Sequence, residues 1–259
     1  MSKPLFVIAI FFSLPVFSQV ETVPGFDKLL YISEKDTMAY RLLQPEQQAK
    51  KNFPLVIFLH GIGERGNDNQ AQIKHIADLF LDPDTKTRFP GYVLAPQCPA
   101  KMMWARHDKH EGRLIMREKP TRAMAMLIAL IDKIEKDFPV DPARIYVTGL
   151  SMGGYGTWDL IARFPDRFAA AVPICGGGDP ETAFSIKHLP LWAFHGALDK
   201  VVLPQQSRVM IKALQDAGGT PGYTEYPDTG HDSWVNAYSD PNLLPWMFDQ
   251  YLGKKSKVK

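Results

Sequence analysis

Three side chains, far apart in the chain, are of the types that together make a nucleophile at neutral pH: Ser151, Asp199 and His231. A serine hydroxyl attacks an acyl carbon only when a base takes its proton, and an imidazole serves as that base when a carboxylate holds it in the right tautomer. Ser151 stands in Gly149-Leu150-Ser151-Met152-Gly153, the G-x-S-x-G spacing. The reason for that spacing is steric: the serine backbone is strained in a sharp turn, and bulk two residues to either side would collide. Met152, opening the next helix, is expected to aim its N–H at an oxyanion formed beside the serine. A glycine-rich pentapeptide is also an ordinary turn. Here the β-branched run Arg144 to Thr148 precedes it and a helical stretch to Phe164 follows, which is the strand, turn and helix the motif requires.

With this kind of nucleophile the acid and then the base follow the serine in the chain, on loops after later strands. Two loops qualify. His195-Gly196-Ala197-Leu198-Asp199 follows the strand Leu191 to Phe194, and Pro227-Asp228-Thr229-Gly230-His231-Asp232 follows Gly222 to Tyr226. His60, His75, His107 and His110 precede the serine, His188 lies before a strand, and His195 is placed to buttress the Asp199 loop. His231 is therefore the expected base, with Gly230 expected to free its loop. Asp199 is the expected acid, since Asp228 and Asp232 are so close to His231 in sequence that reaching its Nδ1 from the correct side is harder. A second oxyanion donor is expected from Leu59-His60-Gly61-Ile62-Gly63-Glu64-Arg65-Gly66, at the Ile62 N–H; the same glycines would also suit a flexible turn.

These loops need a scaffold. From Pro54 onward apolar strand-like runs alternate with amphipathic stretches, which implies an α/β fold, a mostly parallel sheet of about eight strands with helices on both faces. The strands read are Leu55 to Leu59, Gly91 to Ala95, Arg144 to Thr148, Ala169 to Ile174, Leu191 to Phe194 and Gly222 to Tyr226. Leu29 to Ile32 and Met38 to Leu43 form an antiparallel hairpin before them. In Thr121 to Asp137 the residues Met124, Leu127, Ile128, Ile131 and Ile134 recur on one helical face, and Pro139 ends the run. At 259 residues with no linker-like segment, one domain covering 19–259 is expected.

Residues 1–18 read as a secretory signal peptide: Lys3 supplies the charge, Leu5 to Val16 the apolar stretch, and Val16-Phe17-Ser18 places small side chains where signal peptidase needs them. That stretch is shorter than the ~20 residues of a membrane span and contains Pro15, so a secreted or periplasmic protein without a stable membrane anchor is expected. With 30 Lys+Arg against 28 Asp+Glu, the basic excess sits largely in Gly253 to Lys259. No aromatic residue interleaves with that tail, so it reads as a solvated end and no nucleic-acid partner is expected. Cys98 and Cys175 follow different strands and are expected to stay unpaired.

The segments Leu59 to Gly66, Ala95-Pro96-Gln97-Cys98-Pro99, Gly149 to Gly154, Pro173-Ile174-Cys175-Gly176-Gly177-Gly178 and Phe194 to Asp199 together resemble the predicted-peptidase and carboxylesterase branch of the α/β-hydrolases. Its relatives are dienelactone hydrolases, polyhydroxybutyrate depolymerase-like esterases and feruloyl esterases. The resemblance implies a Ser-Asp-His hydrolase with no metal and no cofactor, and it maps those roles onto Ser151, Asp199 and His231. One departure is Ile62, where a small residue is expected; its bulk narrows the acyl pocket.

The chain has no H-E-x-x-H, C-x-x-C or phosphate-binding glycine loop, which removes metalloproteases, zinc modules and nucleotide enzymes. The reading is a serine carboxylesterase acting on small-molecule or polysaccharide-linked esters, with a peptidase, an acyltransferase and a non-catalytic binding protein as the rivals. The segment from Ala95 to Thr121 is long for a strand-to-helix connection. Its Met102, Met103 and Trp104, with Trp234, would wall a short slot for acetyl or aromatic acyl groups, while Arg106, His107, Lys109, His110 and Arg113 face solvent. The alternative for Trp104 is that it anchors the loop to the core.

Overall fold

A computed structural model describes residues 25–33, 36–46 and 52–253. The segment 1–18, and with it the signal-peptide reading, lies outside the described residues. Among the described residues ten strands form: β1 (Phe26–Ile32), β2 (Thr37–Leu43), β3 (Phe53–Leu59), β4 (Tyr92–Pro96), β5 (His107–His110), β6 (Arg113–Met116), β7 (Val140–Leu150), β8 (Ala170–Ile174), β9 (Trp192–Gly196) and β10 (Gly222–Tyr226). Eight of them make one sheet in the order β1-β2-β4-β3-β7-β8-β9-β10. β1 pairs antiparallel with β2 and β2 with β4, and every later pairing is parallel.

The central strands are apolar on both faces because helices cover both. Along β3, Leu55, Ile57 and Leu59 enter one core with Ile145 and Val147, while Val56 and Phe58 enter the other with Tyr146 and Val172, the two-residue alternation of a pleated strand. The first core is closed by the helices Arg122–Asp137, Met152–Arg163 and Gln205–Asp216, and the second by residues such as Phe80, Tyr238 and Met247. In Arg122–Asp137, Thr121 caps the N-terminus by accepting from the Met124 N–H. Met124, Leu127, Ile131 and Ile134 are buried as read, Ile128 only partly, and Met126 and Leu130 complete the face.

The connection after β4, read as a loop, contains a second small sheet. β5 and β6 form a hairpin whose turn residues Glu111 and Gly112 both have positive φ, 50° and 79°. That is the two-residue geometry matching strand twist, and the Glu-Gly pair was its signal. The hairpin is docked: the Met116 N–H donates to Asp179 Oδ2 at 2.8 Å, and the His107 ring lies 6.0 Å from that of Tyr155.

Candidate active site

Parallel strands open their C-terminal ends to one edge, and there the loops after β3, β7, β8, β9 and β10 meet. Ser151 follows β7 with φ 53° and ψ −116°, the strained turn expected of it. A Cβ on Gly153 would lie 1.8 Å from the Leu59 carbonyl oxygen, and one on Gly149 would lie 2.5 Å from the Gly153 oxygen. No side chain fits either place, so both glycines are fixed by backbone contact. The Ser151 N–H donates to Ile174 O at 3.0 Å and touches Cys175 Sγ at 3.2 Å, tying the turn to the end of β8.

Ser151 Oγ lies 2.9 Å from His231 Nε2, and His231 Nδ1 lies 2.7 Å from Asp199 Oδ2. Ionised Asp199 only accepts, so the Nδ1 proton points to it and Nε2 is left to accept from the serine hydroxyl. Asp199 is buried, while His231 keeps 21% of its side-chain surface exposed to solvent and substrate. Burial by itself raises the Asp199 carboxyl. Hydrogen bonds from His231 and from the Val202 and Val201 N–H groups outweigh it and hold the group below its ordinary value. Asp228 and Asp232, the sequence alternatives for the acid, are both exposed.

The loops carrying acid and base are zipped together. The Ala197 N–H donates to Tyr226 O, the Leu198 N–H to Thr229 O, and a Cβ on Gly196 would sit 2.1 Å from Gly230 O. The glycine this packing requires is thus Gly196. Gly230, expected to free the loop, has no left-handed φ, and a Cβ there would meet nothing nearer than Asp232 Oδ1 at 3.8 Å. His195 buttresses the acid loop as read: its Nε2 lies 2.8 Å from Val202 O and 3.3 Å from Asp199 Oδ2.

The loop after β3 comes up against the nucleophile: a Cβ on Gly61 would lie 3.8 Å from that of Ser151. Ile62 begins the short turn Ile62–Glu64, half exposed beside this contact, and Met152 opens the nucleophile helix. His60, which sequence reasoning set aside, fixes this loop. Its Nε2 accepts from the Cys98 N–H at 2.9 Å, so Nδ1 carries the proton and donates to Gly61 O at 2.6 Å. That carbonyl belongs to the same peptide as the Ile62 N–H, so one ring sets the orientation of the expected oxyanion donor. Burial pushes the His60 pKa down to about 4, which keeps the ring neutral.

Trp234 and Trp104, paired as substrate walls in the sequence reading, have different places. The Trp234 ring stands edge-on to His231 at 5.4 Å, with His75 at 5.4 Å beyond it. His75 in turn contacts Glu64 at 3.3 Å, and this hydrogen bond holds the Glu64 carboxyl below its usual range against the burial that raises it. Trp104 is fully buried, its indole N–H donating to His60 O and its Cβ packed on Gly156. It offers no surface to a ligand and instead anchors the loop, because a flat ring with one donor finds both its partners in the core.

Cys98 and Cys175 are both free and buried, as expected. Cys175, Asp199 and His231 bring ligand-type atoms within 4.8 Å of one another. The histidine and carboxylate are already bonded to each other and burial pushes the thiol up to about 12, so the donor set does not suit a cation.

The model of the phospholipase/carboxylesterase family matches residues 43–240. A solved thermostable esterase is 38% identical, with a TM-score of 0.81 over 88% of this chain and 63% of its own. A probable carboxylesterase SOBER1-like of Arabidopsis thaliana is 24% identical over 89% of this chain and 88% of its own length. An uncharacterized secreted protein of Arthroderma benhamiae is 24% identical over 81% of this chain, which spans only 24% of that protein. No helix among the described residues is long and apolar enough to cross a membrane. The chain belongs to the phospholipase/carboxylesterase family of the α/β-hydrolases.

Proposed function

We propose that the chain is an exported serine carboxylesterase that cleaves short-chain or aromatic acyl esters of polar alcohols, sugars among them. The observation that carries this is the unbroken relay from Ser151 Oγ through His231 to Asp199, with Ser151 held at a φ of 53°. His231 Nε2 takes the hydroxyl proton as Oγ bonds to the acyl carbon, and the Ile62 and Met152 N–H groups receive the oxyanion. Collapse breaks the ester C–O bond, and the alcohol leaves with the proton from Nε2. Water then repeats the cycle on the acyl-enzyme and releases the acid.

The half-exposed Ile62 and the Trp234 ring beside His231 support a short acyl slot. Export, supported by the composition of residues 1–18, suits substrates too large to import. The test is fluorophosphonate labelling of purified protein, followed by kinetics on acetyl, feruloyl and twelve-carbon acyl esters beside a peptide panel. Labelling at Ser151 with kcat/KM highest on acetyl or feruloyl esters is expected. No labelling, or a rate that keeps rising to twelve carbons, rejects the reading.

A further inference from the structure

Beside the oxyanion loop lies a cleft of about 430 Å³. Half of its ten lining residues are cationic, Lys101, Arg106, Arg117, Lys119 and Arg122, and none is acidic. Arg117 is paired with Asp108 and Arg122 with Asp36. Among the described residues no carboxylate pairs with Lys101, Arg106 or Lys119. Like charges gathered in a concavity repel one another and focus a positive potential into it, so a fixed framework must hold them there.

That framework is visible. Lys101 has a φ of 67°, a conformation side-chain-bearing residues seldom adopt. Arg163, paired with the buried Asp159, donates to Arg117 O and Glu118 O at 2.8 Å each. Thr121 Oγ1 lies within 2.9 Å of both Met103 O and Trp104 O. The cleft is also joined to the site: the Arg65 guanidinium donates to Ile62 O at 3.2 Å and to Met102 O at 3.0 Å, so one side chain spans from the oxyanion loop to the cleft wall.

We propose that this cleft is a subsite for an anionic group, carboxylate or phosphate, carried on the alcohol part of the ester, so that esterified acidic saccharides are preferred. The proposal rests on the esterase reading above. It adds a source of specificity that the triad does not supply, since the acyl end sits at Ser151 and the anion is read at a distance from it. With the acyl group held in the short slot proposed at Ser151, the anionic group is assigned to the alcohol part.

The test compares kcat/KM on acetylated methyl glucoside with that on acetylated methyl glucuronoside and on acetylated glucose phosphate, at low salt and in molar salt. Each ratio is taken within one protein, wild type or the Lys101→Gln/Arg106→Gln/Lys119→Gln variant, so that any general loss of activity cancels. Wild type is expected to favour an anionic substrate by about tenfold at low salt through KM, and molar salt or the triple substitution should reduce this to within twofold. The preferred anionic substrate tells a carboxylate from a phosphate source. Equal rates on neutral and anionic esters, or a preference that survives the triple substitution, overturn the proposal. If no ester is turned over, the esterase reading fails by itself, and calorimetry with unesterified trigalacturonate and with glucose phosphate then decides. Binding that weakens about tenfold in the triple variant supports the subsite; no binding, or equal binding by both proteins, overturns it.

Discussion

The nucleophile turn and the excursion between β4 and the helix Arg122–Asp137 meet at the same edge of the sheet and are held by different means. In the turn, backbone meets backbone: Gly149 and Gly153 each face a carbonyl oxygen at a distance no Cβ could occupy, as Gly196 does where the acid loop meets the base loop. In the excursion, side chains do the holding, with Trp104 on His60 O, Arg163 on two carbonyls and Asp179 on the Met116 N–H. Backbone contact leaves one residue type possible, whereas a side-chain tie can be made in many ways. The nucleophile therefore sits in a turn whose glycines admit no side chain, and the cationic cleft on a segment held by side-chain ties.

The sharpest way to break this contrast is Ser151→Ala. It removes only Oγ from a turn whose shape the glycines set, so kcat should fall about a million-fold with unchanged thermal unfolding. More than a few per cent residual turnover would move the nucleophile elsewhere. Asp199→Asn should cost about ten-thousand-fold in kcat by favouring the wrong histidine tautomer, while the exposed Asp232 tolerates the same change. Steady-state kinetics giving the reverse ranking would transfer the acid to the loop beside the base.

The two tryptophans sharpen the comparison further. Trp104→Ala opens a buried cavity and should destabilise by about 3–5 kcal/mol in denaturant unfolding. Trp234→Ala, at a ring only partly buried against the second core, should cost less stability and lower kcat/KM. His60 supplies a smaller effect with a defined pH window. Its folded pKa of about 4 lies below the ordinary 6.5, so the unfolded chain binds the extra proton between those values. Stability is full above pH 6.5 and falls as pH drops toward 4, by on the order of 3 kcal/mol, a slope that His60→Gln should flatten in urea titrations at successive pH values.

How much of this was legible follows the same division. Ser151, Asp199 and His231 could be read because a strained serine demands glycines around it and chain order leaves few partners. The six parallel strands and the first hairpin were equally plain from apolar runs. His60 was passed over because preceding the serine excludes a base but says nothing against a ring that orients a peptide. Trp104 stood at even balance between wall and anchor, since an aromatic after two methionines suits both and only burial separates them. The β5–β6 hairpin was hidden by charge: His107 to His110 has almost no apolar alternation, and Glu111-Gly112 alone marked the turn.

The two cysteines make the site able to report on its own breathing. Cys98 lies under the oxyanion loop, its N–H on His60, and Cys175 lies under the nucleophile, its sulfur on the Ser151 N–H; neither shows any surface to solvent. A thiol reagent can reach them only while the covering loop is open, so the extent of modification reports on opening of that loop. Because both thiols are native and sit under different loops, mass spectrometry of timed labelling would follow the two loops separately in the unaltered protein. An acyl group on Ser151 should slow modification at Cys175 first.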